Sequence, residues 1–292
     1  MLSKRLENFF KNKKVLITGA AGSIGSNLTK RLVELPVKKV FILDQDESGL
    51  FDLWEEYPKK TELILANIRD GAKINRIFKK YCPDIVFHCA AYKHVIWGEK
   101  WKDEFIQTNI TGTINLINAS LKHKVKKFVF ISTDKAVNPS SFYGETKKAG
   151  ELSCLNASKL SKKTEFIIVR FGNVLASRGS VVPVFKKQIE RDEPLTVTHK
   201  KMRRYFISMG EAIDFILKTT LLAKNGQICV PELKEIYITD LAKLMIALSG
   251  KVLPIKFTKP NKGEKLREEL MTKEEKKRSV KKQGIYFICP KM

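Results

Sequence analysis

A chain of 292 residues with 43% hydrophobic content can bury a sizeable core, and its length fits one large globular domain or one domain with a smaller lobe. Its formal net charge of +24 points first to a polyanion, but Lys pairs recur at nearly every helix end and turn, Lys heavily outnumbers Arg, and no nucleic-acid-binding motif accompanies them, so a solvated lysine-biased surface is expected and no nucleic-acid partner. No apolar run approaches the roughly 20 residues that span a bilayer, and the opening MLSKRLENFFKNKK holds too short an apolar stretch for a secretory signal.

In chain order, short β-branched runs at 14–18, 39–43, 62–66, 84–88, 127–132 and 165–170 are the expected strands. Helical stretches such as SNLTKRLVEL and GAKINRIFKKY fall between them. Strand and helix in alternation predict an α/β fold, a doubly wound parallel sheet of the Rossmann type, over residues 1–170. After Arg170 the alternation loosens, and residues 171–292 are expected to form mainly a smaller substrate-binding lobe, with the chain free to cross back. Within it, MGEAIDFILKTTLLA and ITDLAKLMIALSG look helical, and TKEEKKRSVKKQG is expected to be a charged, mobile surface segment. The five cysteines, Cys82, Cys89, Cys154, Cys229 and Cys289, are odd in number, scattered and without metal-ligand spacing; reduced thiols in a cytoplasmic protein, and no metal, are expected.

The stretch TGAAGSIG, Thr18 to Gly25, sits where the first strand hands over to the first helix of the sheet. Gly19 and Gly22 permit a tight turn and close approach to a pyrophosphate, Gly25 permits close helix–strand packing, and the helix N-terminus offers N–H groups to the anion. Asp44, ending the second strand, suits the adenosine ribose hydroxyls and repels a 2′-phosphate, which favours NAD over NADP; it is equally placed to cap the helix after it. Farther on, STDKAVNPSSFYGETKKAG carries Tyr143 and Lys147 four apart on one helical face, with Asp134 and Lys135 just after a central strand. A Tyr-x-x-x-Lys spacing also arises by chance on surface helices, and an Asp-Lys pair is commonly a solvated loop.

With these motifs the chain resembles the extended short-chain dehydrogenase/reductase superfamily and, within it, the UDP-N-acetylglucosamine 4,6-dehydratases, including CapD-like polysaccharide-biosynthesis proteins. The resemblance rests on TGAAGSIGSNL, HCAAYKHV, TNITGTINLI, STDKAVNPSSFYGETK, VRFGNVLASRGSVVPVFKKQI, RRYFISMGEAIDFIL and GEKLREEL. It implies an NAD(P)-dependent lyase of surface-polysaccharide synthesis that assembles as a homo-oligomer. Tyr143 would exchange a proton with the carbon 4 hydroxyl, helped by Thr133, while Lys147 lowers the phenol's pKa and holds the nicotinamide ribose. Lys135 would be the base at carbon 5 and Asp134 the acid at carbon 6, with burial and neighbouring positive charge keeping Lys135 neutral. Gly19, Gly22, Ser23, Ile24, Gly25, Asp44, Asn67, Ile68, Ala90, Ala91, Lys93, Tyr143 and Lys147 match the family's cofactor contacts. Lys93, Asn173, Ser180, Val181, Val182, Arg204 and Glu264 match its UDP-sugar contacts, with Arg203 competing for the role of Arg204.

Four departures accompany the match. Ala66-Asn67 replaces the usual Gly-Asp, Ile96 replaces a Pro, and Asn261-Lys262 replaces Arg-Pro, which leaves Lys259 or Lys262 to stand in for a lost arginine. Tyr143 stands where the membrane-anchored, polymer-associated subgroup has Met, and that subgroup's transmembrane part is absent from the expectation for this chain. His94 suits either a packed structural role or a catalytic one. Two alternatives stay open: a UDP-hexose 4-epimerase, which needs no Asp134-Lys135 pair, and a non-catalytic dinucleotide- or nucleic-acid-binding protein.

Overall fold

A computed structural model describes residues 2–291. A short amphipathic helix α1 (Leu2–Phe10) precedes β1 (Lys14–Thr18), α2 (Ser23–Val33), β2 (Lys39–Asp44), α3 (Glu47–Glu56) and β3 (Thr61–Leu65). There follow α4 (Gly71–Tyr81), β4 (Ile85–His88), α5 (Val95–Lys100), α6 (Lys102–Phe105), a π-helical turn over 106–111, α7 (Gly112–Lys122), β5 (Lys127–Thr133), α8 (Phe142–Leu160) and β6 (Glu165–Phe171). The second half comprises β7 (Asn173–Val174), α9 (Val181–Glu190), β8 (Leu195–Val197), β9 (Arg203–Ile207), α10 (Met209–Leu222), β10 (Ile228–Pro231), β11 (Glu235–Tyr237) and α11 (Ile238–Ser249). It closes with β12 (Ile255–Phe257), α12 (Lys273–Lys277), β13 (Ser279–Lys282) and β14 (Ile285–Ile288).

The apolar runs become strands because both faces of the sheet are covered. Val15 and Ile17 of β1 enter one core and Leu16 the opposite one, as period-2 alternation dictates. Helices start where short polar side chains can take orphan N–H groups: Asp46 caps α3, Asp70 caps α4, Ser141 caps α8, and Ser208 and Thr272 form capping boxes with Glu211 and Glu275. The nine-stranded sheet has the order β13-β14-β10-β6-β5-β4-β1-β2-β3, parallel except at β14, which pairs antiparallel with both neighbours. Strand order reverses between β1 and β4, and their carboxyl ends open the crevice where such sheets take ligands.

The second half of the chain divides its service. Strands β7 to β9, β11 and β12 form two small sheets and, with α9 and α11, enclose a separate core around Phe185, Ile189, Leu195, Val197 and Met202. The chain also crosses back: α10 packs its Ile213 and Ile216 into the main core, and β10, β13 and β14 extend the main sheet. The segment expected to be mobile over 272–284 instead contains α12 and β13, and it is pinned by Glu275, whose buried carboxylate meets buried Arg170 at 2.9 Å. A charge-rich composition hides that one acid among many is the partner of a core cation. Among the described residues no helix is long and apolar enough to cross a membrane.

Candidate active site

Two elements bring together the side chains expected to carry the chemistry. Strand β5 ends at Thr133, and a single 3₁₀ turn over 134–136 places Asp134 and Lys135 at the carboxyl edge of the sheet. Helix α8 begins opposite it, its first turn fixed by the Ser141 cap and by Glu99 of α5, which accepts from the Phe142 amide at 2.8 Å. Gly144 is where α8 touches the turn: a Cβ there would run into the Lys135 carbonyl oxygen, so only glycine allows this approach. Tyr143 and Lys147 then face the turn from one side of α8, both buried.

The polar contacts form a chain. Thr133 Oγ1 donates to Asp134 Oδ1 at 2.9 Å and shares a hydrogen bond with the Tyr143 phenol. Lys135 Nζ lies 3.0 Å from Asp134 Oδ1 and 3.3 Å from Asn173 Oδ1 at the start of β7. The nearest charge to Lys135 is thus a carboxylate, the reverse of the neighbouring cation expected for it. Burial raises the Tyr143 pKa, the Asp134 charge adds to the rise, and the Thr133 hydroxyl opposes both. Burial brings Lys147 down to about 8, its ammonium 4.1 Å from the Phe130 ring centre. Two carboxylate oxygens here, Asp134 Oδ2 and Glu268 Oε2, are buried without a hydrogen bond.

Three adjoining cavities make one trough past these groups. At one end Asp44, Asn67, Ile68, Ala90 and Ala91 line a small recess. Asp44 accepts from the Ala21 amide of the glycine loop at 3.0 Å, while Asp46 caps α3, so the two roles open for Asp44 are divided between two residues. Asn67 donates to Gln45 at 2.8 Å, a neighbour the motif reading missed. The middle cavity, about 540 Å³, is lined by Gly19, Gly22, Ser23, Ile24, Gly25, Lys93, Lys135, Tyr143, Lys147, Asn173 and Ser180. Gly19 sits at φ +71° with its Cα against the Ala90 backbone, and Gly22 begins α2 with no side-chain cap. An uncapped helix start beside a glycine cradle fits the pyrophosphate of a dinucleotide, and Asp44 fits its ribose.

The far cavity, about 310 Å³, is lined by His94, Ile96, Trp97, Lys135, Asn173, Arg204, Glu264 and Glu268. Arg204 is buried and points inward, 3.3 Å from Glu264, whereas Arg203 turns out over the Tyr237 ring; burial separates the two arginines that sequence left tied. The Lys262 ammonium lies at the surface, 3.9 Å from Glu99. Ser180 lines the middle cavity, but Val181 and Val182, in the first turn of α9, line neither. Lys93 Nζ donates to the Arg178 carbonyl at 2.5 Å and the Arg178 amide to Ser23 at 3.1 Å, which straps the 175–180 loop across the glycine loop. His94 packs against Gly179 and the Trp97 ring at the junction of the cavities, and burial, then Lys93, lowers its pKa. Glu268 was missed by the motif reading, although its stretch GEKLREEL was among those noted; the next acid after Glu264, four residues on, was the available signal.

The family model for polysaccharide biosynthesis proteins matches residues 15–290. The chain is 41% identical over 285 residues to the probable polysaccharide biosynthesis protein EpsC of Bacillus subtilis, covering 94% of this chain and 47% of that one. It thus spans about half the length of the first curated relatives it matches. Against the UDP-N-acetylglucosamine 4,6-dehydratase (inverting) of Campylobacter jejuni, serotype O:2, it is 35% identical over 287 residues, 96% of this chain and 84% of the relative. The UDP-glucose 4-epimerase of Rickettsia felis is 31% identical over 286 residues, 96% of this chain and 83% of the relative. With a family model matched across nearly its whole length, the chain belongs to the polysaccharide biosynthesis protein family.

Proposed function

We propose that this protein is a nucleotide-sugar 4,6-dehydratase that converts UDP-N-acetylglucosamine to its 4-keto-6-deoxy derivative for surface-glycan synthesis, with NAD or NADP held in the trough. The observation that carries this reading is the Asp134–Lys135 contact of 3.0 Å, tied through Thr133 to Tyr143. Moving one proton across that contact turns an ion pair into a neutral acid beside a neutral base. An elimination needs both, and epimerisation needs neither.

A bound dinucleotide would supply a reversible hydride acceptor, for the hydride leaving carbon 4 and arriving at carbon 6. Asp44 and Asn67 flank its adenosine end, beside Ile68, Ala90 and Ala91, and the Asp44 carboxylate disfavours a 2′-phosphate, so NAD is the preferred form. Gly19, Gly22, Ser23, Ile24 and Gly25 receive the pyrophosphate. Tyr143 takes the carbon 4 hydroxyl proton, with Thr133 beside it and the Lys147 ammonium behind it. The resulting ketone acidifies carbon 5; Lys135 removes that proton, and Asp134 protonates the carbon 6 hydroxyl as it leaves as water. Lys135 and Asp134 finish as the ion pair; Lys135 then returns its proton to carbon 5, and the proton that Tyr143 took from the carbon 4 hydroxyl passes to Asp134, which restores both residues for the next turnover. Arg204 clamps the diphosphate, and Asn173, Lys93, Glu264 and the 180–182 stretch hold the rest of the UDP-sugar. The main sheet serves the cofactor and the smaller lobe the sugar nucleotide, in a homo-oligomer.

Incubation of the full chain with UDP-N-acetylglucosamine, followed by mass spectrometry, tests this directly. Loss of one water by wild type, abolished in Lys135→Ala and Tyr143→Phe, is expected. Conversion to the galacto isomer at unchanged mass would establish the second reading, an epimerase, which the Rickettsia felis similarity favours.

A further inference from the structure

The elimination described above leaves one requirement unmet within the Asp134–Lys135 pair. Asp134 has to deliver a proton when the carbon 6 hydroxyl departs, and the one charged partner it touches is Lys135 at 3.0 Å. A second carboxyl faces the same ammonium from the other lobe. Glu268 is 4% exposed and lines the far cavity together with Lys135. Its segment is hung on β9, where the Arg203 amide donates to the Leu266 carbonyl at 2.9 Å. It is also tied to the catalytic turn, because Lys265 Nζ donates to the Val137 carbonyl at 2.9 Å and Asn138 donates to Glu269 at 2.9 Å.

The charged groups acting on Glu268 come from every element around it: Lys135 and Asp134 from the turn, Arg204 from β9 and Lys265 from its own segment. Each cation is engaged elsewhere. Arg204 pairs with Glu264, Lys135 with Asp134 and Asn173, and Lys265, 3.8 Å from Glu268 Oε2, with backbone carbonyls. Glu268 Oε2 is left buried without a hydrogen bond, as is Asp134 Oδ2. A buried carboxylate oxygen with no donor is costly, which favours a proton on Glu268 despite the cations near it.

Resting on the dehydratase reading, we propose that Glu268 is a positioning residue for proton supply: Glu268 and Asp134 hold one proton between them, and Asp134 delivers it to the departing hydroxyl. Lys135 first gives its ammonium proton to the Asp134/Glu268 couple and then takes the carbon 5 proton, leaving the bonding electrons in the enolate of the 4-ketone; those electrons form the C5=C6 double bond as the C6–O bond breaks towards oxygen. One proton from the Asp134/Glu268 couple joins that oxygen, which leaves as water, and the other stays with the two carboxyls beside the restored Lys135 ammonium. Burial, the largest influence, raises the Glu268 pKa; the Lys135 charge pulls it back and the Asp134 charge adds to the rise, leaving it above the ordinary glutamate range.

Two measurements on the full chain test this. Carboxyl ¹³C NMR with labelled Glu and Asp, without any substrate, is expected to show a carboxyl that titrates above the ordinary range, vanishes in Glu268→Gln and moves down in Asp134→Asn. Glu268→Gln is then expected to lose water from UDP-N-acetylglucosamine about 100-fold more slowly, with KM nearly unchanged and the acid side of the pH profile altered. Deuterium from D₂O should still wash into carbon 5 of recovered substrate, since Lys135 remains. No raised carboxyl in wild type, or Glu268→Gln dehydrating at the wild-type rate and pH dependence, overturns the proposal. Carbon 5 exchange falling in parallel with dehydration overturns it too, by showing that Glu268 only holds the site together. Wild type failing to dehydrate while the raised carboxyl responds to Asp134→Asn would sink the dehydratase reading and leave the shared proton standing.

Discussion

Lys147 sets the pH behaviour of the site. Burial in α8 against the sheet disfavours its charge most strongly, and Cys154, Glu151 and Cys89 recover part of the loss, which leaves its pKa at about 8. An unfolded lysine titrates near 10.4, so between about 8 and 10.4 the unfolded chain binds the extra proton. The proposed role needs the ammonium, which is present below about 8 and lost above it. The expected outcome is a fall of kcat/KM as pH rises through about 8, and a limb moved to higher pH in Lys147→Arg, whose guanidinium stays charged. A wild-type profile flat from pH 7 to 9.5 would contradict it. Spacing alone showed that Tyr143 and Lys147 share a helix face, but not that Thr133 and Asp134 act on the phenol, because that depends on where β5 ends relative to α8.

At the scale of the element, α12 and α8 are tied through the sheet by one buried cation. Arg170 on β6 is fully buried, bonded to Glu151 of α8 at 2.7 Å and to Glu275 of α12 at 2.9 Å, while Ser132 of β5 donates to Glu151 at 2.7 Å. Removing one partner of such a pair costs roughly 3–5 kcal/mol, so Arg170→Met should lower the urea midpoint by about that much stability. Burial alone would raise the Glu275 pKa, but the Arg170 hydrogen bonds and charge outweigh it and bring it to about 2. Its contribution is therefore fully present above the unfolded value of about 4.3 and lost as pH falls towards 2. Urea unfolding from pH 6 to 3 should show a shallower pH dependence in Glu275→Gln than in wild type; identical slopes would refute the assignment. The helices and strands themselves were largely legible, as GAKINRIFKKY falls on α4 residue for residue, because caps and apolar periods are local. The role of α12 was not, since Glu275 and Arg170 are 105 residues apart.

Across the whole molecule, the trough runs from the glycine loop of the main sheet to Arg204 and Glu264 of the smaller lobe. A ligand spanning it binds the folded state alone, and UDP at a hundred times its Kd should add about 2.7 kcal/mol of stability, read as a raised melting temperature. Arg204→Met should erase most of that shift and Arg203→Met little of it, because only Arg204 is buried at the cavity; equal losses would restore the ambiguity between them. The sequence by itself determined the parallel sheet, the glycine loop at its crevice and the placing of Asp134 and Lys135 after a central strand and of Tyr143 and Lys147 on one helix face, because strand burial, turn chemistry and helical spacing are properties of contiguous residues. Only the tertiary structure decided that the chain returns to the sheet as β10, β13 and β14, that Arg204 faces in while Arg203 faces out, and that Glu268 joins Lys135 from the other lobe. Those outcomes depend on burial and on contacts between residues far apart in the chain, and neither leaves a local pattern to read.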